Sequence, residues 1–206
     1  MILNLQVTAS SDDCWGCYTS FYPDYYAFTL TDVGLRIGDY NSNFVDYQSG
    51  MRFLNVTIPK GATITLAQLV VVATAWKYGI PMPTIIMKGQ DADNPSTFST
   101  WADYLGRART AAVVNWTPAA WVAGTTYTSP DIKTIIQAIV NRAGWASGNS
   151  LVIFWSDPPG YGGISALGWY SWDGGSGSQL HIEYSLGSPG MASEPMGAKL
   201  IAGKLI

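Results

Sequence analysis

The sequence predicts an all-β protein, a jelly-roll-type β-sandwich with one covering helix at about residues 130–142 and an extended C-terminal tail. Three observations lead there. Charged residues make up only 12% of the 206 positions, while Gly (22), Trp (9) and Tyr (12) are abundant, the composition of a turn-rich sheet protein rather than a helical or disordered one. Short apolar runs alternate with polar residues at period two and are divided by Gly, Pro, Asn and Asp. A single segment carries a helical apolar stripe.

Taken in order, Leu3, Leu5 and Val7 alternate with Asn4, Gln6 and Thr8 and read as a first strand. Residues 14–48 are aromatic and weakly periodic and read as a long insertion between strands, with short strand candidates at 28–30 and 35–37. Met51–Val56 alternates and turns at Pro59-Lys60-Gly61. Ile64–Ala75 is a long β-branched run; strands follow at 84–88, 111–116, 151–155, 164–172 and 179–184, and a short helix fits near 100–105. The total is roughly ten strands at sandwich-like spacing. Ser129 can cap a helix, Pro130 suits its first position, and Asp131 favours the positive end of the dipole. Ile132, Ile135, Ile136, Ile139 and Val140 then form one stripe, and Gly144 ends the helix. One domain is expected over 1–185. Residues 186–197 read as a Gly/Pro/Ser-rich spacer leading to a tail in which Lys-Leu-Ile occurs twice. Leu200, Ile201, Leu205 and Ile206 are the expected docking residues of that tail.

Net charge is −3, and no Lys/Arg cluster offers a face for nucleic acid. No apolar run approaches the ~18 residues of a bilayer span. The N-terminus lacks the features of an export signal, so the expectation is either a trimmed longer precursor or production and assembly inside a cell, which virion proteins fit.

From Arg52 through Thr57-Ile58-Pro59-Lys60-Gly61-Ala62-Thr63-Ile64 the chain resembles a known family. The resemblance continues at Gly89-Gln90-Asp91-Ala92-Asp93-Asn94, Asn115-Trp116-Thr117-Pro118, Asn141-Arg142-Ala143-Gly144-Trp145, Tyr170-Ser171-Trp172-Asp173-Gly174 and His181-Ile182-Glu183-Tyr184. Over roughly residues 50–185 it is similar to the DNRLRE-type, carbohydrate-binding-module-like β-sandwiches of bacterial surface proteins and phage virion proteins, though the naming motif is absent. The resemblance implies a jelly-roll scaffold, mostly non-catalytic, adhesive or carbohydrate-binding in several members.

Chemistry-bearing residues are few. Cys14-Trp15-Gly16-Cys17 is a C-x-x-C, read as a local disulfide or two free thiols, since a zinc site needs two more ligands and a thioredoxin motif needs a βαβ setting. His181 is the only histidine and lies on the outer face of a strand with Gln179 and Glu183; no nucleophile motif accompanies it. Most aspartates adjoin Gly, Asn or Pro and read as turn formers. Asp91, Asp93 and Asp12 are weak calcium candidates with hard oxygen donors. Trp15, Tyr18, Tyr22, Trp169 and Trp172 are candidates for aromatic contact with a partner or sugar, though Trp169 and Trp172 point to opposite faces of one strand. The expected function is structural: a non-enzymatic virion component such as a capsid decoration, without cofactor or metal. It would bind other copies of itself or a capsid-type protein. The alternative is an extracellular or cell-surface module that binds polysaccharide.

Overall fold

The computed structural model describes residues 1–19, 26–40, 45–79, 81–157 and 165–186. Tyr22 and the four docking residues of the tail lie outside the described residues. Among the described residues, twelve strands form one antiparallel sheet that curls on itself, giving the all-β, sandwich-like architecture the alternation predicts. They are β1 (Ile2–Gln6), β2 (Asp13–Thr19), β3 (Tyr26–Thr29), β4 (Gly34–Tyr40), β5 (Val45–Phe53) and β6 (Thr63–Tyr78). After these come β7 (Ile85–Gln90), β8 (Arg109–Trp116), β9 (Thr126–Thr128), β10 (Leu151–Ser156), β11 (Ala166–Tyr170) and β12 (Gln179–Ser185). The helices are α1 (Trp101–Gly106) and α2 (Lys133–Val140).

The curl is set by β6, sixteen residues long. Its first half pairs with β12 and β9, and its second half pairs with β11. The sheet then runs through β4, β5, β10 and β7 to β8. Inward-facing Ile64, Ala67, Leu69, Val71 and Ala73 of β6 meet Met51, Phe53, Met87, Ile153, Trp155 and Trp169 in one core. Trp155 and Trp169 pack with ring centroids 4.4 Å apart, and Trp116 and Trp121 extend the aromatic contact. The indole N–H of Trp121 donates to Gly168 O and that of Trp169 to Ser178 Oγ. Large rings thus fill the interior without leaving these donors stranded.

The covering helix is α2, and every member of its Ile132/Ile135/Ile136/Ile139/Val140 stripe is fully buried against β6, β7 and β8. It begins later than its capping signature suggests. Ser129 turns instead to β6, its hydroxyl accepting the Leu69 amide at 2.9 Å, and Asp131 Oδ1 accepts the amides of Ala67 and Lys133. Ser129 therefore secures the approach to the helix, while Asp131 ties the first residue of α2 to β6.

Residues 14–48 are not an insertion outside the sheet. They contribute most of β2, all of β3 and β4 and the start of β5, with Trp15, Cys17, Leu35, Ile37 and Val45 buried in the main core. A second, smaller core lies on the other face, where Phe98, Trp101 and Tyr104 cover Cys14, Val152 and Phe154. Thr100 caps α1 by accepting the Asp103 amide. Arg107 then ties the segment down through Asp103, the carbonyls of Ser96 and Thr97, and the face of Phe98.

Candidate functional site: a pocket and an acidic cluster

Three strands meet where one edge of β5 changes partner. Residues 45–47 of β5 pair with β4, and 49–53 pair with β10. Asp39 of β4 stands directly opposite Asp46 of β5, and Tyr18 of β2 stands opposite Asp46 on its other side. Asp157 follows the last residue of β10. One carboxylate oxygen from each of Asp39, Asp46 and Asp157 lies within 4.8 Å of the others. Asp39 is 8% exposed and Asp157 7% exposed. Among the described residues no Lys or Arg forms an ion pair with any of the three.

The electrostatics follow from that crowding. Burial pushes Asp157 up to about 9, reinforced by the charges of Asp46 and Asp39 beside it. Burial and then Asp46 push Asp39 up to about 6. Tyr18 is also pushed up, by burial and then by Asp46. Asp46 Oδ2 accepts the Gln48 amide N–H at 3.1 Å, whereas Oδ1 is buried and accepts nothing.

Asp46 and Asp157 also form part of the wall of a pocket of about 230 Å³. Its rim carries Tyr18, Gln48, Lys88 and Ser156, and its floor is Ile86, Tyr104 and Phe154. Arg109 closes one side, its guanidinium 3.4 Å from the centre of the Phe154 ring and bonded to Tyr104 O at 3.0 Å. Burial lowers the Arg109 pKa, with Tyr104 acting against it. A retaining glycosidase sets two carboxyl groups ~5–5.5 Å apart on either side of a bond. Here three acids converge on one point and two of them are shut away from solvent, an arrangement that suits capture of a positive charge.

The residues singled out from the sequence fall elsewhere. Asp91 and Asp93 are both held by Arg142, Asp93 at 2.8 Å from its Nε, and Asp12 lies 2.6 Å from Arg52 Nη1. Their charge is met by arginine, so the calcium expectation does not hold at these positions. Trp169 is core and Trp15 is buried, its indole N–H donating to Asp32 and its ring lying under Arg36. Neither is a contact residue. Tyr18 and Trp172 remain, at 43% and 41% exposure. Trp172 donates its amide to Asp13 at the opposite end of β2 from Tyr18, so the two do not form a paired platform. Cys14 and Cys17 are free and buried in different cores, as residues three apart on a strand must be when its faces alternate. Burial pushes both thiols up. The disulfide alternative is thereby removed. His181 bonds Asn4 Oδ1 at 2.7 Å and Glu183 at 3.4 Å, in the half of the sheet built from β1, β12 and β6.

The sequence reading missed Asp39, Asp46 and Asp157. A signal was present: Leu35, Ile37 and Asp39 recur at every second position, as do Leu151, Ile153, Trp155 and Asp157. An acid at the next step of an apolar period marks a carboxylate about to be buried. Comparison with known protein families and with curated proteins finds no match for this chain. Among the described residues no helix is long and apolar enough to cross a membrane.

Proposed function

We propose that the chain is a non-catalytic structural module of an external assembly, a virion component such as a capsid decoration, and that it joins its neighbours by strand addition at β8. The observation that carries this reading is the β8 edge. β8 pairs with β7 on one side and, among the described residues, with no strand on the other. Edge strands are usually shortened, bulged, or guarded with Lys or Pro, because an unpaired row of N–H and C=O groups is a template for another chain. β8 is eight residues long and contains neither Lys nor Pro. Its one charge is Arg109, at its first residue and turned to the small core. Ala112, Val114 and Trp116 pack inward while Ala111, Val113 and Asn115 face solvent. Such a strand accepts a partner strand through main-chain hydrogen bonds.

The test is self-association of the full chain, followed by sedimentation or light scattering across concentration. The double variant Ala111→Lys, Val113→Lys places two charges on the solvent face and leaves the core untouched. It is expected to stay monomeric and to melt with the parent, since surface changes of this kind usually fall within about 0.5 kcal/mol. Assembly of the variant at parental strength would end the edge reading.

A second reading is recognition of a carbohydrate at the Tyr18 pocket. The observation favouring it is an exposed ring beside Gln48, Lys88, Asp46 and Ser156, groups that donate to and accept from hydroxyls. Glycan capture by the monomeric β8 variant would bring this reading forward.

A further inference from the structure

The acidic cluster adds nothing to the packing that an apolar trio would not supply better, because it crowds three carboxyl groups together with two of them buried. We propose that Asp39, Asp46 and Asp157, together with the Ser165 hydroxyl, form a binding site for a hard divalent cation of calcium size.

The geometry comes first. One oxygen from each acid lies within 4.8 Å of the other two. Ca–O bonds of ~2.3–2.6 Å allow two ligands of one ion to stand up to about 5 Å apart, so a single ion can reach all three. The second observation is independent of the acids. Ser165 is 1% exposed and its Oγ has no hydrogen-bond partner. β11 is registered on β4 with Ala166 opposite Gly38, and one further step sets Ser165 opposite Asp39. Ser165 thus stands beside Asp39 at the end of the β4–β11 ladder, and its stranded hydroxyl is the donor assigned to the acids. Asp46 Oδ1, likewise buried and accepting nothing, is a further free acceptor at the same place. Unpaired buried acceptors of this kind are rare and call for a ligand.

The chemistry then selects the ion. All donors are hard oxygens, with no sulfur or imidazole among them, which favours calcium or magnesium over zinc. Magnesium demands close octahedral geometry at ~2.0–2.1 Å and keeps several waters. A site in which two of three carboxylates are over nine-tenths buried suits the larger ion, which sheds water more readily. Three carboxylates and one divalent cation leave a residual charge of about −1. The ion would clasp β4, β5 and the end of β10 where the edge of β5 passes from one neighbour to the other. This inference stands apart from the assembly and carbohydrate readings, and its test needs neither a partner nor a glycan.

The full chain is stripped with chelator, dialysed, and titrated at fixed pH with calcium chloride, magnesium chloride serving as the control. Calorimetry is expected to show a single saturable calcium site. Tm is expected to rise by roughly 5–10 °C when calcium is a hundredfold above Kd, with a smaller rise for magnesium. Asp46→Asn and Asp157→Asn each replace one carboxylate donor by a neutral amide. Both variants, stripped, should melt no lower than the stripped parent and should lose the calcium response. Terbium luminescence displaced by calcium in the parent gives a readout that does not depend on the variants folding. No calcium response at millimolar concentration overturns the proposal. So does a response retained in both variants, or one in which magnesium outperforms calcium.

Discussion

Asp13 is 1% exposed, and its Oδ2 accepts the Trp172 amide at 2.9 Å. Burial pushes this carboxyl up to about 7; the Trp172 amide works against the shift, and the like charges of Asp173 and Asp12 add to it. Asp12 is itself paired with Arg52, and Asp173 accepts a hydrogen bond from Ser10. The sign follows from linkage. An acid whose folded pKa lies above its ordinary 3.8 binds its proton more tightly in the fold than in the unfolded chain. Its favourable contribution is complete below about pH 4 and is lost as pH rises through 7. Asp13→Asn keeps an oxygen to accept the Trp172 amide and carries no charge at any pH. The variant should therefore melt above the parent at pH 8, and the gap should close toward pH 4. A gap that widens on acidification would show that the ionised carboxylate is the stabilising form. Asp131, only partly buried, illustrates the opposite outcome. Burial acts to raise Asp131 as well, but the Ala67 and Lys133 amides and the Lys133 ammonium outweigh it and hold that carboxyl below its ordinary range.

At the scale of elements, α1 is seated on bare backbone. A Cβ added at Gly16 of β2 would stand 2.2 Å from the Trp101 ring, and one at Gly50 of β5 would stand 2.6 Å from the Phe98 ring. Any side chain larger than hydrogen at Gly16 lifts Trp101 off the sheet and disturbs its stacking on Tyr104, 5.0 Å between centroids. Gly16→Ala is expected to cost about 1–3 kcal/mol, the range for overpacking, read as a lower urea midpoint at unchanged slope. A midpoint equal to the parent's would mean that Trp101 does not rest there. These glycines also explain what the sequence concealed. Where one face of a strand is apolar and the other wet, as at Leu180 and Ile182 against His181 and Glu183, period two is plain and the reading is right. β2 is sandwiched between the main core and the covering layer, so Cys14 to Tyr18 are small or aromatic on both faces and the alternation fades. The α2 stripe was legible because it faces one core, whereas its start was not, because Ser129 bonds across to β6 and Asp131 divides its bonds between β6 and Lys133. The acidic cluster was hidden for a related reason. Asp39 adjoins Gly38 and Asp157 adjoins Pro158, the neighbours of turn-forming aspartates. Only the pairing of β4, β5 and β10, a tertiary matter with no code in residue spacing, brings the three together.

At the scale of the whole molecule, β12 is the element on which the sheet closes its first half. It is hydrogen-bonded along one side to β1 and along the other to β6, and the Met1 amine donates to Tyr184 O at 2.7 Å. Leu180 and Ile182 are fully buried beneath it. With its register filled by β6 to Ser185 and by β1 to Glu183, β12 is held on both sides within the described residues. We propose that residues 187–206 serve assembly rather than the stability of the sandwich, a role their sequence suits. The gain from burying Leu200, Ile201, Leu205 and Ile206 on a partner and the cost of ordering the nine residues that carry them are of the same order. Such a tail reinforces an existing contact and does not make one alone, so its effect should appear as avidity added to the β8 edge. A chain ending at residue 186 is therefore expected to melt with the parent and to self-associate more weakly, and the same truncation combined with Ala111→Lys, Val113→Lys should be monomeric at every concentration tested. Thermal melting and sedimentation of the four proteins, parent, truncation, edge variant and combination, separate the contributions. A lowered Tm in the truncated chain would make the tail part of the sandwich. Undiminished association of the truncated chain would leave the edge as the whole contact.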